Sequence, residues 1–196
     1  MVLGRLRQKV NSLAPSTIGR ALARAGVKAD HVTAAGIAIS SLAPVVAYLR
    51  ALWALPLVIL VSGAADVIDG AVARASGALR PFGSYLDSVS DRYDDLMYFL
   101  AVLIAGMNPY LTLVALGLSL LVSYSRAKGE LLGASMEGVG LMERSERVIA
   151  LVVLTSLMAA GLRLAALAVL AVIVALSAAT VVIRGYQVWR SLSSRR

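Results

Sequence analysis

The residues that could do chemistry here are carboxylates. Asp66, Asp69, Asp87, Asp91, Asp94 and Asp95 crowd into one stretch of a chain that is otherwise mostly apolar. An ionised carboxylate costs several kilocalories per mole where hydrocarbon replaces water, unless a cation neutralises it. Asp66 and Asp69 stand three apart, and Asp87 and Asp91 four apart. On helices, each pair projects from one face with a turn between its members. Two such turns facing each other direct four carboxylates at one point. With no cysteine in the chain and no histidine nearby, the donors are hard oxygens. They suit Mg²⁺ or Mn²⁺, which usually keep water or substrate phosphate in their remaining positions.

Gly70, Ala73, Arg74 and Gly83 lie between the pairs. Small residues let a helix or a flat ligand approach the backbone, and arginine is a forked donor suited to phosphate. The whole pattern is D-x2-D-G-x2-A-R-x8-G-x3-D-x3-D. It resembles the signature of the CDP-alcohol phosphotransferase family at all eight positions: Asp66, Asp69, Gly70, Ala73, Arg74, Gly83, Asp87 and Asp91. The resemblance implies transfer of a lipid-phosphate group from a CDP-linked lipid, CDP-diacylglycerol or CDP-archaeol, to an alcohol, with release of CMP. It implies two Mg²⁺ or Mn²⁺ ions held by Asp66, Asp69 and Asp87. Asp91 stands near them and serves as general base. Asp66, Asp69, Gly70, Ala73, Arg74 and Gly83 then border the CDP-lipid. Asp30 and Thr33 resemble the family's residues that support the nucleotide pocket, although Ala29 replaces the customary proline. A homodimer is also implied, with the third and fourth spans as its expected interface.

The acceptor is read from a second group of cations. Arg126 and Lys128 end one apolar segment, and Arg144 and Arg147 begin the next. Anchors obeying the positive-inside rule would look the same. Yet YSRAKGELLG and MERSERV resemble the phosphatidylinositol-phosphate synthase branch of the family, with its K-A-R-A-E and E-R-x-E-R. Arg126 takes the place of the lysine and Lys128 that of the arginine, and Arg184 loosely matches a further branch arginine. The implied acceptor is inositol 1-phosphate, with glycerol 3-phosphate as the alternative. Such cations suit an acceptor carrying its own phosphate. Asp94 and Asp95 lie outside the signature and outside the metal set. Asp94 continues the Asp87/Asp91 face, where it either supports the ligands or pairs with Arg92 or an arginine of another helix. The single histidine, His31, reads as a surface residue.

These residues need elements at the right depth. The 196 residues are 59% hydrophobic with a mean hydropathy of +0.81, more apolar than a water-soluble domain of that length requires. The net charge of +8 fits cytoplasmic loops and anionic lipid heads rather than nucleic acid. No disulfide or thiolate chemistry is available. Residues 1–31 read as a juxtamembrane amphipathic segment, broken near Pro15 and lying in the interface, without the apolar core of a cleavable signal. Residues 32–196 read as an all-α bundle of six transmembrane helices. The spans are near 32–49, 52–75, 82–106, 109–132, 143–160 and 162–190, with a glycine-rich loop at 133–141. Both acidic pairs then sit at one depth, and the cations put the termini and the site on the cytoplasmic side of a cell membrane. A divalent-cation channel or transporter would also bury acids, but it needs polar groups along a path through the membrane. A structural scaffold would not need four carboxylates to converge.

Overall fold

The computed structural model describes residues 17–77 and 80–193, and its regular structure there is helical throughout. Helix α1 covers residues 17–24. It is followed by α2 (Ala29–Ser40), α3 (Leu42–Tyr48), a 3₁₀ turn at Leu52–Ala54, α4 (Leu55–Ala75) and α5 (Pro81–Ile104). Then come α6 (Pro109–Leu131), α7 (Arg144–Ala159) and α8 (Arg163–Ser193). Prolines mark three of the starts, in α4, α5 and α6. In a first turn the missing N–H has no helical partner anyway. Asn108 caps α6, its side chain accepting a 3.0 Å hydrogen bond from the Leu111 N–H.

The first expected span is two helices rather than one. The chain is interrupted at Ser41, which keeps helical angles (φ −62°, ψ −19°), so the break is a kink and not a reversal. Pro44 is its cause. In an unbroken helix its ring would meet the Ser40 carbonyl, and it brings no N–H to bond it.

Ala29–Tyr48, Leu52–Ala75, Pro109–Leu131 and Arg163–Ser193 are long and apolar enough to cross a membrane. Helix α5 is long enough but carries Asp87, Asp91, Arg92, Asp94 and Asp95. Helix α7 has 16 residues, or about 24 Å, against a hydrocarbon core of about 30 Å. By composition, then, four of the six expected spans qualify. The other two pack between them: α5 against α2, α3 and α6, and α7 against α4 and α8. Leu57, Leu60, Leu113, Val114, Val172 and Val182 are exposed, as hydrocarbon contact requires. Tyr48, Trp53 and Tyr110 are exposed at one end of the bundle, and Tyr85, Tyr124, Tyr186 and Trp189 at the other, where aromatic belts form.

The interior has two halves. Ala47, Leu55, Phe99, Val102, Leu154 and Leu170 form an apolar core towards the first aromatic belt. Asp69, Asp94, Asp95, Arg147 and Arg184 are buried towards the second. Of the amphipathic segment, residues 1–16, with the expected break at Pro15, lie outside the described residues. The part that is described rests on the bundle. Gly19 is buried against α4, where a Cβ would fall 2.7 Å from the Ala71 carbonyl carbon.

Helix α8 fixes where α7 begins. Thr180 Oγ1 accepts from the N–H groups of Leu141 and Met142, both at 3.0 Å. Gly140 passes so close that a Cβ would lie 2.5 Å from Thr180 Cγ2. One turn on, Arg184 donates to the carbonyls of Val139 (2.8 Å) and Val122 (2.6 Å) and reaches Glu143 at 3.3 Å. The connection from α6 to α7 is thereby clamped, and with it the position of Arg144.

Candidate active site

Helices α4 and α5 touch only lightly, and carboxylates fill the gap between them. One oxygen from each of Asp66, Asp69 and Asp87 falls within 4.8 Å of the others. Asp69 is buried and oriented by Thr33 of α2, whose hydroxyl donates to it at 2.6 Å. Asp87 is exposed. Among the described residues no guanidinium or ammonium comes within ion-pairing distance of Asp69 or Asp87. Three converging, under-neutralised carboxylates with no nitrogen or sulfur donor are the donor set of a hard divalent cation, so the residues fit Mg²⁺ or Mn²⁺.

Asp91 stands beside this trio rather than within it. Its Oδ1 lies 2.8 Å from Nη1 of Arg144, with Arg92 at 3.9 Å on the other oxygen. The same Arg144 nitrogen contacts Asp66, and Nη2 donates to Asp94 at 3.0 Å. One guanidinium thus serves three acids from two helices.

Two cavities meet at this point. The first, of about 520 Å³, is lined by Asp30, Thr33, Asp69, Gly70, Ala73, Arg74 and Gly83. Those are all the residues expected to border the CDP-lipid except Asp66. A Cβ on Gly70 would lie 3.2 Å from the Arg74 guanidinium, so glycine leaves room for that side chain along the wall. Arg80 closes one side by a 3.0 Å bond to Asp30. The second cavity, of about 320 Å³, lies between α5, α6, α7 and α8 and is lined by Ser84, Ser88, Asp91, Arg126, Glu130, Arg144 and Arg184, among others. Ser84 and Asp87 line both.

Residues 27–183 match the CDP-alcohol phosphatidyltransferase family. The chain belongs to that family. The archaetidylinositol phosphate synthase of Aeropyrum pernix is 38% identical to it over 157 residues, covering 80% of each chain. A crystal structure of Mycobacterium tuberculosis phosphatidylinositol phosphate synthase with CDP-DAG bound superposes with a TM-score of 0.78 at 28% identity. The match covers 90% of this chain and 94% of that one. The same enzyme in complex with manganese and citrate gives 0.78 at 29% identity, covering 89% and 88%.

Within this family member, the basic group expected to hold the acceptor divides. Arg126, Arg144 and Arg184 line the second cavity, whereas Lys128 and Arg147 do not. Lys128 is exposed and lies two residues from Arg126, about 200° around α6. Arg147 is 1% exposed and is committed to Asp95 through Nε–Oδ1 at 3.2 Å and Nη2–Oδ2 at 2.6 Å. Arg184 reaches the cavity wall but spends its donors on two carbonyls and Glu143. The sequence reading missed these commitments because a cation's spacing gives its face and not its partner. For Asp94 the expected alternative of an arginine from another helix is the one found; the signal left unused was Asp95, a second acid beyond the signature. Asp94 found Arg144 and Asp95 found Arg147, both from another helix.

Proposed function

We propose that this protein transfers the lipid-phosphate group of a CDP-linked lipid, with ester- or ether-linked tails, to a hydroxyl of inositol 1-phosphate and releases CMP. The observation that carries the reading is the meeting of the two cavities at Asp87, one walled by the family signature and the other by Arg126, Arg144 and Arg184. Asp66, Asp69 and Asp87 would hold two divalent ions, Mg²⁺ or Mn²⁺, with Asp91 adjacent. Such ions, when bound, stabilise charge on the attacking and leaving oxygens of a pyrophosphate. The chain's own residues do the rest. Gly70 and Ala73 admit the nucleotide against the backbone of α4, Arg74 offers forked donors to phosphate, and Thr33 holds Asp69 in register. Asp91 lines the acceptor cavity next to Asp87, where it takes the proton of the attacking hydroxyl. The new phosphorus–oxygen bond forms as the bond to CMP breaks. Arg126 and Arg144 face the acceptor's phosphate. The curated relative named for an inositol lipid supports inositol 1-phosphate over glycerol 3-phosphate. The apolar core around Leu55, Phe99 and Leu154 counts against a channel or transporter, since among the described residues no charged side chain is buried in it.

The accompanying topology has six crossings, with α5 and α7 completing the four apolar ones and residues 1–31 in the interface. Both termini and the site then share one face. The arginines gathered there, including Arg74, Arg80, Arg126 and Arg190, support the cytoplasmic side. The family resemblance supports a homodimer, for which we propose α5 and α6 as the interface, and a monomeric mass in nanodiscs would overturn it. The reaction is tested by CMP release from CDP-lipid with Mg²⁺, offered inositol 1-phosphate, glycerol 3-phosphate, inositol or serine. Inositol 1-phosphate should be fastest. Equal or faster release with unphosphorylated inositol would overturn the acceptor assignment, and no release with any alcohol would overturn the reaction.

A further inference from the structure

Arg144 stands where the two halves of the proposed reaction meet. Its Nη1 covers oxygens of Asp66 and Asp91. Asp66 is one of the three converging ligands, so this guanidinium occupies lone pairs that a divalent ion at the trio would draw on. The same side chain also lines the acceptor cavity. Its third partner, Asp94, lies outside the converging trio and lines neither large cavity, although it borders a small pocket with Asp66 and Asp69; it is 3% exposed and receives Nη2 at 3.0 Å. Among the described residues Arg144 Nε has no hydrogen-bond partner. Helix α7 begins at Arg144 itself, so its side chain leaves from the helix end and reaches carboxylates of both α4 and α5.

We infer that Arg144 is an exchangeable counter-ion that couples the two sites: cations at the trio displace it from Asp66 and Asp91, Asp94 retains it, and its freed donors turn to the acceptor's phosphate. This rests on the proposed function and adds an order to it, in which the metal-loaded donor side prepares the acceptor side. Charge supplies the reason. A guanidinium next to incoming divalent cations loses its attraction to the shared carboxylates, while Asp94 is left free to hold it. An anion in the second cavity then gains a donor that was previously engaged. Coupling of this kind is reciprocal, so a phosphate in the second cavity must tighten metal binding by the same factor. Asp94 acts as a positioning residue through Arg144 and touches no substrate.

The test is Mn²⁺ binding to the purified full chain in nanodiscs, followed by electron paramagnetic resonance without CDP-lipid or turnover. Titrations are run alone, with inositol 1-phosphate, and with inorganic phosphate, which does not depend on the acceptor's identity. In the wild type either phosphate should tighten Mn²⁺ binding at least about fivefold. Arg144→Gln should bind Mn²⁺ more tightly than wild type without phosphate, and the added effect of phosphate should fall to less than twofold. Should Arg144→Gln fail to fold, Asp94→Asn, which removes the acid that retains the guanidinium, should likewise cut the added effect of phosphate to less than twofold, and an unchanged linkage there overturns the inference. No linkage in the wild type overturns the inference, as does an Arg144→Gln protein that binds Mn²⁺ more weakly or keeps the full linkage through direct phosphate–metal contact. Absence of any Mn²⁺ site removed by Asp69→Asn would instead overturn the metal assignment on which the inference stands.

Discussion

Arg144 and Arg147 stand one turn apart at the start of α7, facing carboxylates of α5, and the two arrangements differ in count and access. Arg147 meets one acid, Asp95, through two hydrogen bonds, with both side chains 1% exposed. Arg144 meets three acids, with its own side chain 19% and that of Asp91 22% exposed, and Asp69 and Asp87 lie nearby with no ion pair among the described residues. A sealed one-to-one pair neutralises itself and ties α7 to α5. An excess of anion that solvent can reach attracts further cations and is a place for a ligand. Charge ratio and access therefore separate a structural arginine from a functional one, where sequence neighbourhood treats Arg144 and Arg147 alike.

The largest effects should come from the under-neutralised side. Asp66→Asn, Asp69→Asn and Asp87→Asn should each abolish measurable CMP release and weaken Mn²⁺ binding, because each removes one of the three converging oxygens. Exhaustive chelation should do the same, reversibly. Asp91→Asn should keep most of the Mn²⁺ affinity while turnover falls roughly a hundred- to ten-thousandfold, the range for losing a general base. Metal titrations in which Asp91→Asn alone lost affinity would exchange its role with that of the trio and erase the distinction between ligand and neighbour.

The sealed side should answer in stability. Breaking a buried ion pair by removing one partner costs about 3–5 kcal/mol, since the other charge is left uncompensated. Arg147→Gln and Asp95→Asn should therefore lower the thermal unfolding midpoint in detergent strongly. The double replacement Arg147→Met with Asp95→Leu should recover much of the loss, as buried pairs exchanged for apolar side chains often do. If Arg147→Gln stayed stable and raised only the acceptor KM, Arg147 would belong with Arg144 and the contrast would fail.

Much of this was legible from the chain. The three- and four-residue spacings of the aspartates are a backbone property, and α4 and α5 present them as helical periodicity requires. Pro81 and Pro109 marked helix starts for the same local reason. The kink at Ser41 was also local, written in Pro44, but hydropathy averages across it. What periodicity could not supply was choice of partner. Asp91 was read as one of four carboxylates directed at one point; it stands beside the other three, against Arg144. Arg184 was expected at the acceptor; it lines that cavity while its donors clamp the loop before α7. Each outcome depends on contacts between residues far apart in the chain: Arg184 with Val122 and Val139, Arg144 with Asp66, Arg147 with Asp95. Such contacts follow from packing and not from any window of sequence.

The smallest expected effect sharpens the same contrast on α6, where two cations stand two residues apart. Arg126 lines the second cavity and holds Glu130 at 2.9 Å in an exposed pair. That bond is weak, since exposed pairs contribute about 0–1 kcal/mol, so Arg126 can exchange Glu130 for a phosphate at little cost. A charge-assisted hydrogen bond to phosphate contributes about 1.5–3 kcal/mol. Arg126→Gln should accordingly raise the acceptor KM roughly ten- to hundredfold and leave the KM for CDP-lipid nearly unchanged, because the donor cavity does not include it. Lys128 is exposed on another side of the helix and lines neither cavity. Lys128→Gln should move both KM values by less than about twofold, within the ±0.5 kcal/mol typical of surface substitutions, its charge serving only to anchor the helix end at the membrane surface. Steady-state kinetics on the two variants decide the matter: equal acceptor KM changes would mean that the basic group acts through its summed field, and access to the cavity would lose its standing as the criterion.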